Sequence, residues 1–184
     1  MQNYQKIARK ITFVLFLAQS LASAGFIAGS TISSIIGANL GGSAAWAGVP
    51  SAVYLLGGAF AASAWGYLMD LAGRRSGIAL GLLTGAAGTL LAVYSINHSL
   101  LIGFLGGMLL MGIANAAVVL GRFAAAEVTP PERRGAAISS VVLGGTFGSI
   151  FGPLIVGPAG SLVKAYRLVD LSGAYLASFG LFAI

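Results

Sequence analysis

Gly66-Tyr67-Leu68-Met69-Asp70-Leu71-Ala72-Gly73-Arg74-Arg75 stands between two apolar runs, at about 50–69 and 77–96. Each run has roughly the 20 residues that one bilayer crossing needs. Gly66 lacks a side chain one turn before the end of the first run, which leaves room for another helix to lie against it. An acid near a helix carboxyl end is unfavourable with the helix's own dipole. Asp70 therefore calls for an outside partner, either a cation or the amino end of another helix. Gly73 can take the left-handed conformation of a tight exit, and Arg74 lies within reach of Asp70 if the turn stays helical. Taken alone, Arg74 and Arg75 also fit a plainer role as topology determinants.

Working outward, the same pattern repeats. Apolar runs at about 11–36, 100–126 and 136–156 add three spans, and a sixth starts near 171 and reaches 184. That last stretch is too short to cross without tilt or thinning. Of 184 residues, 58% are hydrophobic and only 8% charged, against about 25% charged in a soluble domain. Four acids and ten bases cannot cover a soluble surface. The expected fold is an all-α integral membrane bundle of about six transmembrane helices, and no room remains for a soluble domain.

The bases set the orientation. Lys6, Arg9, Lys10, Arg74, Arg75, Arg133 and Arg134 fall on one side of a six-span topology, and only Lys164 and Arg167 on the other. Seven against two predicts a cytoplasmic amino terminus in a multi-pass protein of the cell membrane. Bases paired at span ends do not make a phosphate track, so no nucleic-acid partner is expected. A basic start followed by Ala22-Ser23-Ala24 also suits a cleaved leader, but the apolar run continues through Phe26, Ile32 and Ile36, which favours a first span. With no cysteine and one histidine, His98, in a turn, neither a metal site nor another cofactor is expected. An enzyme would need convergent polar groups at one depth, and the acids and the histidine sit at span ends or in loops, so no enzyme is expected.

Two further motifs carry information. At the end of the fourth span the chain reads Ala126-Glu127-Val128-Thr129-Pro130-Pro131-Glu132-Arg133-Arg134-Gly135, which must leave the helix at its prolines. In the fifth span, spacing by four places Gly144, Gly148 and Gly152 on one stripe, a flat surface for a facing helix. Pro153 follows and should bend the span, and Gly157 closes the block before a longer loop at 157–170.

The stretch at 66–75 resembles the signature loop of the major facilitator superfamily: a glycine, an acid four later, then Gly-Arg-Arg or Gly-Arg-Lys, between the second and third helices. It departs at Leu71, where the family usually has arginine. The 126–135 stretch is similar to the family's acid followed by Pro-Pro-x-x-Arg-Gly. The resemblance covers nearly the whole chain and implies the amino-terminal half of a transporter, 1–184, whose carboxyl-terminal six-helix half is a missing partner. By resemblance Glu127 joins Asp70 and Arg74 in a cluster on the cytoplasmic rim that latches the two halves. The glycine block of span five looks like that of drug/proton antiporters, with Val156 and Ser139 where that pattern has glycines. This implies efflux of a small-molecule substrate, with protons as candidate coupling ion. Uptake of a metabolite or sugar, and a non-transporting fragment or assembly subunit, are the alternatives. Exporters of this kind often carry a mid-helix arginine in span four, and here Met108 takes that place. Spans one and four line the cavity in the family, so Gln19, Asn115 and Arg122 are candidate cavity residues. Arg122 also fits a side chain that snorkels to the interface, and Gln19 and Asn115 fit helix-to-helix hydrogen bonds. The abrupt apolar end at Leu181-Phe182-Ala183-Ile184 is expected of a fragment.

Overall fold

A computed structural model describes residues 2–166 and 168–183, with side chains from residue 6 onward. Arg167, counted in the charge argument, and the Ile184 end of the sixth span lie outside the described residues. Six helices follow one another: α1 Gln2–Gly41, α2 Val49–Ala72, α3 Arg74–Asn97, α4 Leu101–Glu127, α5 Arg134–Ala165 and α6 Gly173–Ala183. Five of them, α1 to α5, are long and apolar enough to cross a membrane. Their apolar side chains face outward in large number, with Phe60, Ile102 and Leu154 among the most exposed. In water that surface would be prohibitive, and in lipid it costs nothing.

The helices run past several expected limits. α1 continues to Gly41 before a 3-10 turn at Ala44–Trp46, so the loop expected at 37–49 is half its length. Gly37 makes this possible: a Cβ there would stand 2.7 Å from both Pro50 Cγ and the Trp46 carbonyl, so the α1 end packs closely against the α2 start. The basic turn expected at 70–76 shrinks to Gly73 alone. Its φ of 87° is positive as expected, but its ψ of 151° lies outside the left-handed helical region, in territory open essentially to glycine. The loop expected at 157–170 is helical to Ala165 despite Pro153 and Pro158. Neighbouring elements can compensate proline breaks in membrane helices. Here Ala159 and Val163 are buried, and Ala159 meets Gly173 at the start of α6.

The layout is paired. α3 lies along α4, α2 along α4, and α1 along α5, while α6 fits between α1 and α3. The centre is a cluster of Phe26, Phe104, Met108, Met111, Tyr175 and Phe182. Two buried hydroxyls are satisfied by backbone carbonyls of α1: that of Tyr175 donates to Gly29 O at 2.9 Å and that of Ser178 to Gly25 O at 2.7 Å. Those two bonds fasten α6 to the glycine-containing middle of α1.

Candidate functional site

One end of the bundle gathers the bases. Lys6 and Arg9 of α1 face Arg133 of the α4–α5 turn across a shared groove, and Arg74 bonds Glu127 at the end of α4. Lys164, at the opposite end of α5, pairs with Asp170 at 2.7 Å. The alternation read from the sequence thus corresponds to two ends of a real bundle.

At the basic end, α2, α3 and α4 meet through three charges. Arg74, the first residue of α3, donates from Nη2 and Nε to Glu127 Oε1 at 2.8 and 3.1 Å. The same Nη2 stands 3.3 Å from Asp70 Oδ1. Arg74 reaches Asp70 although the helix breaks between them at Gly73. Glu127, the last residue of α4, is 53 positions from Arg74 in sequence. The side chains of Arg74, Asp70 and Glu127 are 27%, 70% and 52% exposed, so the guanidinium is the sheltered member and the acids keep free oxygens outward. Arg75 is exposed beside them.

Each of these charges opposes its own helix. Asp70 and Glu127 sit at carboxyl ends, where the dipole is negative, and Arg74 sits at an amino end, where it is positive. Each mismatch costs about 0.3–1 kcal/mol, and an exposed ion pair returns about 0–1 kcal/mol. The cluster is therefore a weak stabiliser at most. Small changes in its surroundings can make or break it.

At Gly66 the room stays open: among the described residues, no atom outside its own helix lies within 4 Å of where its Cβ would stand. The room it leaves is not filled by any described helix.

The fifth-helix stripe faces α1. Gly144, Gly148 and Gly152 are buried and press on three carbonyls of α1, those of Phe16, Ser20 and Ala24. Gly157 does not belong to it, being exposed with open space around it, and Pro153 is exposed too. Four residues per step drifts about 40° around a helix, so a stripe begun at Gly144 turns away from its neighbour and cannot extend indefinitely.

The three cavity candidates are not brought into mutual hydrogen bonding. Gln19 is half-buried, donates to Ser23 Oγ one turn along α1 at 3.1 Å, and lies against Gly145 of α5. The bond lies within α1, not between helices. Asn115 is half-buried, and no hydrogen bond to its side chain occurs among the described residues. Arg122 is half-buried with its guanidinium 5.2 Å from the Phe123 ring centre. Met108, at the place of the exporters' arginine, is fully buried and its sulfur lies 3.5 Å from the Tyr175 hydroxyl. That position is bundle core, where an arginine would stand uncompensated.

Sequence reasoning missed the α2–α4 contact. The Trp65 indole N–H donates to Ile113 O at 2.8 Å. A Cβ on Gly57 would stand 2.5 Å from Leu109 O, and Gly112 abuts the Tyr54 carbonyl. Gly57 and Gly112 have no regular spacing that would mark them, and a tryptophan in an apolar run gives no sign of its acceptor.

Paired helices of membrane-crossing length with charged turns at one end define a multi-pass α-helical membrane protein. The sequence profile of the Major Facilitator Superfamily matches residues 12–184, and the chain belongs to that family. It is 28% identical over 95% of its length to the uncharacterized MFS-type transporter YdeG of Bacillus subtilis, covering 41% of that protein. It is 27% identical over its whole length to the uncharacterized MFS-type transporter YddS of the same organism, covering 42%. The riboflavin transporter RfnT of Brucella anthropi is 30% identical over 81% of the chain, which covers 37% of that relative. The chain thus spans about two fifths of the curated relatives it matches. No solved structure matches it.

Proposed function

We propose that this chain is the amino-terminal half of a secondary transporter that exports a small organic molecule across the cytoplasmic membrane by alternating access, with its basic end in the cytoplasm. The observation that carries the reading is Arg74 bridging Asp70 and Glu127. It ties the ends of three helices through a cluster that stabilises them weakly at most, as a state-dependent latch requires. A differential of a few kcal/mol between two states is enough for switching. The counterpart is a second bundle that seats against the open space at Gly66 and the outward oxygens of Asp70 and Glu127. Folds of this kind set their substrate site between two such halves.

Proton coupling, where present, uses Asp70, Glu127 or groups of the second half, since the acids of this chain all lie at helix ends or in turns. Gln19, Asn115 and Arg122 are the substrate-contact candidates of this half. A second reading, transport of a flavin-like metabolite, is favoured by the likeness to the riboflavin transporter. Riboflavin flux in vesicles distinguishes the two.

The test of the latch uses the transporter in its native length. Asp70→Asn and Glu127→Gln should each lower transport at least tenfold with unchanged membrane insertion. Gly66→Leu should lower it likewise while leaving the fold of residues 1–184 intact. Transport at the parental rate in Asp70→Asn ends the latch proposal.

A further inference from the structure

Seven residues of an α-helix make close to two turns, so residues that far apart share a face. On α1 this aligns Thr12 with Gln19 and Ser23 with Ser30, while Gln19 and Ser23 are one turn apart, so the four lie on one stripe. The hydroxyls at its two ends are spent on the backbone: Thr12 donates to Ala8 O at 3.0 Å and Ser30 to Ile27 O at 3.1 Å. The middle pair is not. Gln19 Nε2 donates to Ser23 Oγ at 3.1 Å, and neither side chain has another partner among the described residues. One N–H and the carbonyl oxygen of Gln19, and the hydroxyl hydrogen of Ser23, stay unanswered. Both side chains are half-buried. Gly145 of α5 stands beside them, where a Cβ would lie 3.4 Å from Ser23 Oγ and 3.5 Å from Gln19 Nε2. No α5 side chain covers the pair from that position.

α4 brings a second amide to the same level. It runs antiparallel to α1, with Met111 beside Gly29 and Gly121 beside Leu15. Asn115 lies between those two contacts and so stands level with the stretch that holds Gln19 and Ser23. Its amide is half-buried and also lacks a partner among the described residues. Amides left without partners in hydrocarbon are costly, so these call for water or a polar solute. No charge shares their level. Arg122, on Asn115's own face of α4, is two turns nearer the basic end, and Lys10 stands nine residues before Gln19. α5 carries no charge between Arg134 and Lys164.

We propose that Gln19, Ser23 and Asn115 form a hydrogen-bonding subsite for an uncharged solute that carries a donor and an acceptor side by side, as an amide, urea or imide edge does. This rests on the transporter reading above and narrows its substrate class. The Gln19 carbonyl oxygen accepts, the Ser23 hydroxyl donates, and Asn115 offers both from across the α1–α4 seam. An ion entering at this level would give up hydration and meet no opposite charge in return. An uncharged polar edge exchanges its bonds to water for bonds to these side chains at little net cost.

These 184 residues contain no cysteine, which allows a direct test. The transporter in its native length, with any cysteine of the second half replaced, receives Gln19→Cys or Asn115→Cys and is held in nanodiscs that leave both faces open. Cationic, anionic and uncharged methanethiosulfonates are then compared as probes. Both thiols should react, and the uncharged reagent should outpace either ion by about tenfold beyond its ratio with free cysteine, because the ions pay for lost hydration. Ser95→Cys, at a fully buried position, should stay unreactive. Adding Gln19→Glu to Asn115→Cys should shift the preference to the cationic reagent; no shift would separate Asn115 from Gln19 and overturn the shared subsite. Thiols unreactive at both positions would show that the second half covers the amides, and would overturn it too. Fastest reaction with the anionic reagent would make Arg122 the ruling charge, and fastest with the cationic reagent would assign that place to an acid of the second half. Either result overturns the uncharged class. The two thiols stand on different helices, so a variant that fails to fold leaves the other to decide. Labelling needs no transport: unreactive thiols remove the subsite and leave the transporter reading, whereas parental transport in Asp70→Asn ends the latch and leaves the subsite.

Discussion

Two of the seams that hold this bundle together, α1–α5 and α2–α4, are built differently. Along α1–α5, glycine stands on one helix only, at Gly144, Gly148 and Gly152, against carbonyls four residues apart on the other. No side-chain hydrogen bond crosses that seam among the described residues. Along α2–α4, glycines on both helices interlock, Gly57 against Leu109 and Gly112 against Tyr54, and Trp65 fastens the register to Ile113. A periodic stripe can slip by one turn and remake most of its contacts. An irregular interlock with a directed hydrogen bond cannot. The seams also end differently at the basic end: α1 and α5 spread into a groove, whereas the ends of α2 and α4 are bridged by Arg74, which pairs with both Asp70 and Glu127. The half therefore has one keyed seam and one that can shift.

That contrast can be broken by substitution. Gly112→Ala should have the largest effect, about 3 kcal/mol of lost stability measured by thermal or denaturant unfolding in detergent, because its new methyl meets the Tyr54 backbone in a seam that cannot slide. Gly148→Ala should cost about 1–2 kcal/mol, part of the overlap with the Ser20 carbonyl being relieved by slippage. If Gly148→Ala proves the more damaging, the distinction between the seams is wrong. Trp65→Phe should cost about 0.6–2 kcal/mol through loss of its bond to Ile113. Combined with Gly112→Ala it should cost less than the sum, since both act on one seam. Gly157→Ala sharpens the limit of the stripe: with open space there, its stability should stay within about 0.5 kcal/mol of the parent.

Much of this was legible in the sequence where a local pattern has only one physical outcome. Apolar runs of bilayer length mark the helices, and the bases at their ends sort onto the ends of the bundle. Gly144, Gly148 and Gly152 announced a packed face through their spacing, but spacing did not name α1 as the partner. The α5 helix overran its expected end because burial of Ala159 and Val163 outweighs the local cost of Pro158, a contest that no window of sequence reveals. Asp70 and Arg74 are near neighbours, so their pairing could be reasoned from distance along the chain. Glu127 reached the cluster only by resemblance, since nothing local ties it to Arg74.

By itself, then, the sequence determined that this chain lives in lipid, how many helices it forms and which turns share an end, because hydrophobic length and charge placement act residue by residue against the solvent. Only the tertiary structure decided which helices touch, that Gly112 and Trp65 key one seam, that Met108 is core and that Lys6, Arg9 and Arg133 line one groove. Helix partnership depends on close backbone approach and shape between segments far apart in the chain, and those terms exist only once the helices have assembled.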